Sequence, residues 1–201
     1  KQSTHMQNKG IKIKQQDITD CGAASLASVC AHYGLAFPIA RIRQYAFTDK
    51  KGTNVLGMIE AAGKLGFEAK GVRAEPEALK MIQLPTIAHV IVKGVLRHFI
   101  VAYGVSDKHI TYMDPADGEM HRVAWDAFLK LWTGVLVLLE PKDDFVQGNM
   151  KTSIPQRFFQ LLRPHRRVMA EVLFGAIVCS ILGLSTSVYV GKIVDYVLVD
   201  E

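Results

Sequence analysis

Three cysteines and seven histidines are the side chains through which this sequence could carry out nucleophilic chemistry. Cys21 follows Asp20 at the predicted start of a helix, where backbone N–H groups and the helix dipole favour the thiolate, the nucleophilic form of cysteine. Cys30 falls on the apolar face in the middle of the same helix, and Cys179 falls inside a long apolar stretch, so we expect both thiols to be inert. By position alone, Cys21 fits a nucleophile and a small buried residue about equally well.

A nucleophilic cysteine needs a general base, and the base needs a group that orients it. His98 lies in an alternating segment typical of a strand, and Asp114 ends the next predicted strand, directly before a turn. Side chains on adjacent antiparallel strands are about 5 Å apart, so Asp114 can hold one ring nitrogen of His98 while the other faces Cys21. This is the logic of a papain-like triad. Taken singly, His98 is better explained as a structural histidine and Asp114 as a turn former, and only their combination with Cys21 favours catalysis.

The other histidines offer one alternative base. His89 lies on the partner strand of the same predicted hairpin and could replace His98 in that role. Four of the others have no acidic residue suitably placed beside a sheet position, and we interpret them as surface or core residues: His32, His109, His121 and His165.

Two glutamines lie in the polar loop before Cys21. The side-chain amide of Gln15 or Gln16 could join the Cys21 N–H group in binding an oxyanion. Position alone makes this a weak prediction, because most glutamines in loops are simply solvated.

The predicted elements that carry these residues are helices first and an antiparallel sheet afterwards. Helical spacing and capping residues predict helices at 21–33, 38–45, 53–64 and 75–81, with Asp20 and Thr53 as N-caps and one strand at 67–72. After Pro85 the period changes to two and predicts strands at 87–92, 96–103, 109–114, 119–123 and 135–139, with a short helix at 125–132. Helices followed by an antiparallel sheet indicate the α+β class.

The chain is predicted to divide into three segments: a domain at 7–146, a linker with an interfacial helix at 147–167, and a membrane helix at 168–201. Residues 141–149 are polar, and residues 155–162 have an amphipathic pattern. From Val172 to Val190, 19 residues carry no charge, which as a helix is long enough to cross ~30 Å of hydrocarbon. A buried helix of a soluble protein is the alternative interpretation.

Charge is unevenly distributed. The chain has 24 Lys and Arg against 19 Asp and Glu, a net charge of +5. Residues 1–150 show no basic stripe, which argues against a nucleic-acid partner. Between 151 and 167 the basic residues occur without any acid, which predicts that residues 1–167 lie on the cytoplasmic side of a membrane. They are Lys151, Arg157, Arg163, Arg166 and Arg167.

The number and spacing of the cysteines indicate the cellular compartment in which the protein folds. An odd number of cysteines without paired spacing argues against a disulfide framework, and the lack of C-x-x-C or H-x-x-x-H spacing argues against a zinc site. Reduced thiols in the cytoplasm fit best. No secretory signal is recognised, and we interpret residues 1–5, before Met6, as a cloning remnant.

The segment around Cys21 resembles a known active site. Residues 15–27, QQDITDCGAASLA, followed by HYG at 32–34, are similar to the active-site segment of the bacteriocin-processing cysteine peptidase domain of peptidase-containing ABC transporters. Further stretches agree in order and spacing: GT at 52–53, GFEA at 66–69, LPTIAH at 84–89, HFIV at 98–101 and MDPADG at 113–118. The resemblance covers about residues 10–140, and the tail resembles the entry to the first membrane helix of the transporter.

The resemblance implies a papain-like fold and a role for four residues. Cys21 would be the nucleophile, His98 the general base and acid, and Asp114 the orienting residue, while Gln15, ahead of Gln16, would form the oxyanion hole. Such enzymes remove an N-terminal leader from a secreted peptide after a Gly-Gly type pair. The leader is typically an amphipathic helix, so an apolar groove is expected to bind it.

The resemblance also implies partners and a location. The peptidase would need no cofactor and no metal, while ATP and magnesium would serve a nucleotide-binding domain, whose G-x-x-x-x-G-K-[ST] loop does not occur in these residues. The full transporter would be a homodimer in the bacterial cytoplasmic (inner) membrane. Two alternatives are a non-catalytic module that docks export substrates and a papain-like acyl or peptidyl transferase unrelated to transport. The intact set of four residues argues against the first, and the membrane entry argues against the second.

Overall fold

The computed structural model describes residues 10–50, 52–150 and 162–198. The chain forms two compact units, residues 1–151 and 152–201, which we describe separately. The proposed cloning remnant and nearly all of the predicted interfacial helix at 155–162 lie outside the described residues.

The first unit begins with helices packed against one side of a sheet. Its central helix is α1, whose residues from Cys21 to Cys30 are all buried. Many of them are Gly, Ala or Ser, and such small side chains let a helix approach its neighbours closely on every side. The helices of this unit are α1 (Cys21–His32), α2 (Ile39–Tyr45), α3 (Val55–Lys64), α4 (Pro76–Leu79) and α5 (Trp125–Leu129).

A six-stranded sheet forms the other layer, with the order β2-β7-β3-β4-β5-β6 and antiparallel neighbours throughout. The predicted strands are confirmed, but β7 is longer than predicted, and it inserts between β2 and β3. The α+β class is likewise confirmed. The strands are β1 (Leu35–Ala36), β2 (Phe67–Arg73), β3 (Thr86–Val92), β4 (Leu96–Val105), β5 (His109–Asp114), β6 (Glu119–Ala124), β7 (Trp132–Pro141) and β8 (Gly148–Asn149).

Because successive side chains of a strand point to opposite faces, each face of the sheet carries its own hydrophobic core. On β4, Phe99 and Val101 pack with α1, α2 and α3, whereas Ile100 and Ala102 pack on the opposite face. Phe128 of α5 belongs to that second core. The sheet is therefore covered on both faces, and α1 is held rigidly against β4.

Two predicted helix caps differ from those in the structure. Asp20 occupies the N-cap position of α1 as predicted, but a 3₁₀ turn at Ile18–Asp20 precedes the helix, and the capping carboxylate is that of Asp17, which accepts from the Thr19 N–H at 3.0 Å. Asp20 caps no N–H group of α1. Likewise Asn54 rather than Thr53 caps α3, accepting from the Gly57 N–H at 2.7 Å.

Part of the segment predicted to be a linker is attached to the first unit. Strand β8 pairs in parallel with β1, and Gly148 N donates to Gly34 O at 3.0 Å. The ring of Phe145 lies 4.7 Å from that of Phe67. The polar composition of 141–149 gave no sign of these contacts. The boundary at residue 146 stays a prediction.

The second unit contains a 3₁₀ turn at Arg163–His165 and one long helix, α6 (Arg166–Leu198). Among the described residues, Arg163–Val194 is long and apolar enough to cross a membrane, judged by length and composition alone. Its described side chains make no buried core of their own.

Candidate active site

Cys21 lies where the 3₁₀ turn joins α1, and only 7% of it is exposed. It opens into a cleft of about 590 Å³. One wall of the cleft is the loop after α2, and the other comes from β3 and β4. The walls include Phe47, Gly52, Thr53, His89, Leu96 and Phe99.

His98 and Asp114 meet across β4 and β5. Val101 pairs with Met113, so His98 and Asp114 are diagonal neighbours on the two strands. The Nε2 atom of His98 lies 2.7 Å from Oδ1 of Asp114. The His98 ring also makes a hydrogen-bond contact with the Cys21 side chain. Because Asp114 occupies Nε2, Nδ1 is the ring atom left for the thiol.

Both partners of this pair have shifted pKa values. Burial of the His98 ring lowers its pKa, but the hydrogen bonds to Asp114 and Cys21 and their negative charges outweigh burial and raise the pKa to about 9. For Asp114 burial raises the pKa, but the hydrogen bonds from His98 and the Ala116 N–H bring it below its usual value. The environment therefore favours an imidazolium at His98 beside an ionised Asp114.

A buried hydrogen bond fixes α1 against β4. Ser25, one turn after Cys21, donates from Oγ to the carbonyl of Phe99 at 3.3 Å. Phe99 directly follows His98, so this bond links the helix that begins at Cys21 to the strand that carries His98. Nothing in the sequence pointed to this role for Ser25.

Gln15 is tethered to the turn that follows Asp114. Its N–H donates to the carbonyl of Pro115 at 2.8 Å, and its Oε1 atom is buried without a hydrogen-bond partner. Gln16 is exposed. The structure therefore brings Gln15, rather than Gln16, into the neighbourhood of the triad.

His89 lines the same cleft but has a different partner. Its Nδ1 atom lies 2.9 Å from Oγ1 of Thr133, and its ring packs on Phe99 at 5.1 Å. Burial first, and then the charges of Arg97 and His98, lower its pKa. Because Asp114 bonds to His98, His89 is the weaker candidate for the base.

The prediction that His121 has no acidic neighbour is wrong. The turn after β5 brings Asp117 to His121, with Oδ2 2.8 Å from Nε2. The ring of His121 stacks on Tyr112 at 5.5 Å. This second pair is not among the residues lining the Cys21 cleft.

The other two cysteines differ from Cys21. Cys30 is fully buried, and burial raises the pKa of its thiol to about 12, so it has almost no thiolate at neutral pH. Cys179 lies in α6 of the second unit. Within the described part of the chain, no cluster of three or more His, Cys, Asp or Glu side chains could hold a metal ion.

An ion pair next to the nucleophile was also missed. Nη1 of Arg43 on α2 lies 2.7 Å from Oδ1 of Asp20. The two residues belong to different elements, so no spacing rule could have joined them.

Comparisons with known proteins agree with this geometry. The sequence profile of the Peptidase C39 family matches residues 11–144. The chain is 33% identical over 191 residues to the lactococcin-G-processing and transport ATP-binding protein LagD of Lactococcus lactis subsp. lactis, covering 94% of this chain. It is 29% identical over 190 residues to the transport/processing ATP-binding protein ComA of Streptococcus pneumoniae, covering 93% of this chain. In both cases it spans 26% of the relative's length.

Solved structures match the first unit. The peptidase domain of Streptococcus ComA superposes with a TM-score of 0.63 at 37% identity, covering 67% of this chain and 100% of that one. A double glycine motif protease from an AMS/PCAT transporter, solved in complex with the leader peptide, gives a TM-score of 0.60 at 34% identity over 67% of this chain and 96% of that one. The predicted papain-like peptidase fold is confirmed by these matches.

Proposed function

Because the chain belongs to the peptidase C39 family, we propose that Cys21, His98 and Asp114 form the catalytic triad of an endopeptidase that cleaves a leader from a secreted peptide after a Gly-Gly pair. The observation that carries this proposal is the contact of His98 with both Asp114, at 2.7 Å, and Cys21. A leader-bound protease similar to this chain supports the substrate class.

The chemistry follows from the geometry. The Cys21 thiolate attacks the carbonyl carbon of the second glycine, and the resulting oxyanion accepts hydrogen bonds from the Cys21 N–H and the Gln15 side-chain amide. The His98 imidazolium gives its proton to the departing amine, which leaves the leader as a thioester on Cys21. Neutral His98 then takes a proton from water, which hydrolyses the thioester and frees the thiolate. Asp114 keeps the ring oriented throughout.

We propose that the space beside Cys21 is too small for a branched side chain at the cut, which would account for the choice of glycine. Gly52, Thr53 and Leu96 lie around Cys21 in the cleft. A branched side chain on the residue before the cut would have to share this space with the attacking sulfur. We therefore expect the enzyme to require small residues on the leader side of the cut.

The context of a transporter is part of the same proposal. LagD and ComA carry processing and transport in their names, and this chain spans about a quarter of each. Helix α6 would be the first membrane helix, with the peptidase on the cytoplasmic side of the bacterial membrane. ATP and magnesium would act at a nucleotide-binding domain outside this sequence, and the transporter would be a homodimer.

Cleavage of a defined peptide tests the proposal. The 201-residue chain in detergent is incubated with a synthetic peptide in which an amphipathic leader ends in Gly-Gly, and the products are identified by mass spectrometry. We expect one cut after the second glycine, and no cut when either glycine is replaced by valine. Cys21→Ala should bind the peptide without cutting it, whereas Cys30→Ala should cut. A wild-type chain that binds the leader and never cuts it would instead identify a docking module.

A further inference from the structure

The residue before Cys21 carries a buried charge. The side chain of Asp20 is 1% exposed, and Nη1 of Arg43 lies 2.7 Å from its Oδ1 atom. Its Oδ2 atom accepts from the Asp17 N–H at 3.0 Å, whereas Oδ1 accepts no hydrogen bond. The contact between Arg43 and Oδ1 of Asp20 is therefore an ion pair without a well-aligned hydrogen bond.

Capping accounts for only one of the two Asp20 oxygens. Asp20 caps no N–H group of α1, and its Oδ2 atom completes a capping box with Asp17 at the 3₁₀ turn, which leaves Oδ1 to Arg43. A buried carboxylate is costly unless it is paired, and an apolar pair of similar volume is often as stable. Arg43 is itself 35% exposed, so the pair joins a buried carboxylate to a partly solvated cation.

The pair controls the backbone at Cys21. Asp20 has φ −88° and ψ −2°, the conformation in which the 3₁₀ turn passes into α1. The ψ angle of Asp20 sets the direction of the Cys21 N–H, the proposed oxyanion donor. Holding the Asp20 side chain from two sides thus fixes both the N–H group and the start of α1.

Arg43 also anchors the wall of the cleft. Its carbonyl accepts from the Thr48 N–H at 3.0 Å, and Thr48 Oγ1 lies 2.7 Å from Thr53 Oγ1. Thr53 lines the cleft beside Cys21. Arg43 therefore links the turn before Cys21 to the cleft wall that contains Thr53.

Other charged or titratable groups also surround Cys21. They come from its own turn, from α2 and the loop after it, and from three strands. They are Asp17 and Asp20, Arg43, Asp49 and Lys50, His89, Arg97 and His98, and Asp114.

We infer that Asp20 and Arg43 are positioning residues for Cys21: Asp20 fixes the turn that presents the thiol and its N–H, and Arg43 neutralises a carboxylate that would otherwise oppose the thiolate. This inference rests on the proposed function, in which Cys21 is the nucleophile. Removing the cation should disfavour the thiolate, and removing the carboxylate should favour it.

The test is the pH dependence of Cys21 alkylation by iodoacetamide in the 201-residue chain in detergent, with the modified residue located by peptide mass. In Arg43→Met we expect the midpoint of the rate to rise by about one pH unit. In Asp20→Asn it should fall, and in the double variant it should return to the wild-type value. Arg43→Lys, which keeps the charge, should keep the midpoint. Arg41→Met is the matched control on the exposed side of α2 and should change nothing.

The opposite shifts of the alkylation midpoint expected for Arg43→Met and Asp20→Asn distinguish a positioning role from a purely structural one. Variants that lose thermal stability but keep the wild-type midpoint would overturn the inference. If Arg43→Met does not fold, the fall in Asp20→Asn and its reversal in the double variant decide the question. A wild-type Cys21 no more reactive than a cysteine in the unfolded chain would overturn the proposed function itself.

Discussion

The Nε2 atom of His98 lies 2.7 Å from Oδ1 of Asp114, across the neighbouring strands β4 and β5. This contact joins two residues that are 16 positions apart, and it leaves the other ring nitrogen of the imidazole, Nδ1, to Cys21. Burial of the ring lowers the pKa of His98, but the hydrogen bonds and charges of Asp114 and Cys21 together raise it to about 9, which predicts a measurable pH dependence.

Asp114→Asn should move the alkaline limb of the activity profile. The raised pKa of His98 means that the imidazolium persists until the pH rises through about 9, and above that value kcat/KM should fall. Asn in place of Asp114 removes the negative charge that raises this pKa, so the limb should shift toward the ordinary histidine value of about 6.5 and kcat should drop. Asp117→Asn, which removes the partner of His121 in the same turn, is the control and should leave the limb in place.

The same shift makes folding pH-dependent. Because the folded pKa of His98 is higher than the unfolded one, the imidazolium contributes stability that is fully present below about pH 6.5. This contribution disappears as the pH rises through about 9. Urea unfolding at a series of pH values should therefore show the difference between wild type and Asp114→Asn largest near pH 6 and smaller above 9. A difference that grows with pH would contradict the assignment of this pair.

Gln15→Ala should lower kcat by roughly 10² to 10³, the usual effect of losing one oxyanion donor, with little change in KM. The matched control is Gln16→Ala, because Gln16 is the exposed neighbour. Steady-state kinetics on the Gly-Gly peptide distinguish the two. Loss of activity in Gln16→Ala with a normal Gln15→Ala would transfer the role by one residue.

Gly22→Ala should reduce both stability and turnover. A Cβ atom at Gly22 would lie 2.8 Å from Cβ of Thr53, and such overpacking costs about 1–3 kcal/mol. The strain falls between Cys21 and the cleft wall. Gly63→Ala is the control, since nothing lies within 4 Å of that Cβ, and it should stabilise α3 by about 0.5–1 kcal/mol. Thermal unfolding and peptide cleavage measure the two effects.

Much of this architecture could be predicted from the sequence, because the signals are local. The strand from His109 to Asp114 and the helix beginning at Cys21 agree with prediction, since alternation and helical spacing reflect the burial that the structure shows. The contact between His98 and Asp114 needed only the expectation that consecutive antiparallel strands lie side by side.

What escaped prediction depends on contacts distant in sequence or on turn geometry. The position of β7 between β2 and β3 is set by the whole sheet, and no local pattern specifies it. The pairing of Asp20 with Arg43 joins two helical elements, and the pairing of His121 with Asp117 depends on how tightly the turn closes. Asp20 occupies the predicted N-cap position of α1, but its side chain accepts from the Asp17 N–H and pairs with Arg43 instead of capping the helix, because a 3₁₀ turn precedes α1.

The most direct test of the account is covalent capture of Cys21 by a leader peptide whose C-terminal Gly-Gly carries a nitrile in place of the carboxyl group. The thiol adds across the nitrile with no leaving group, so the protein should gain the mass of the whole peptide, once per chain. We predict this adduct on Cys21 in the wild type and in Cys30→Ala, and its loss in Cys21→Ala and His98→Ala, because members of a triad act as a unit. An adduct on Cys30, or none on Cys21 in a folded chain that binds the leader, would contradict the account.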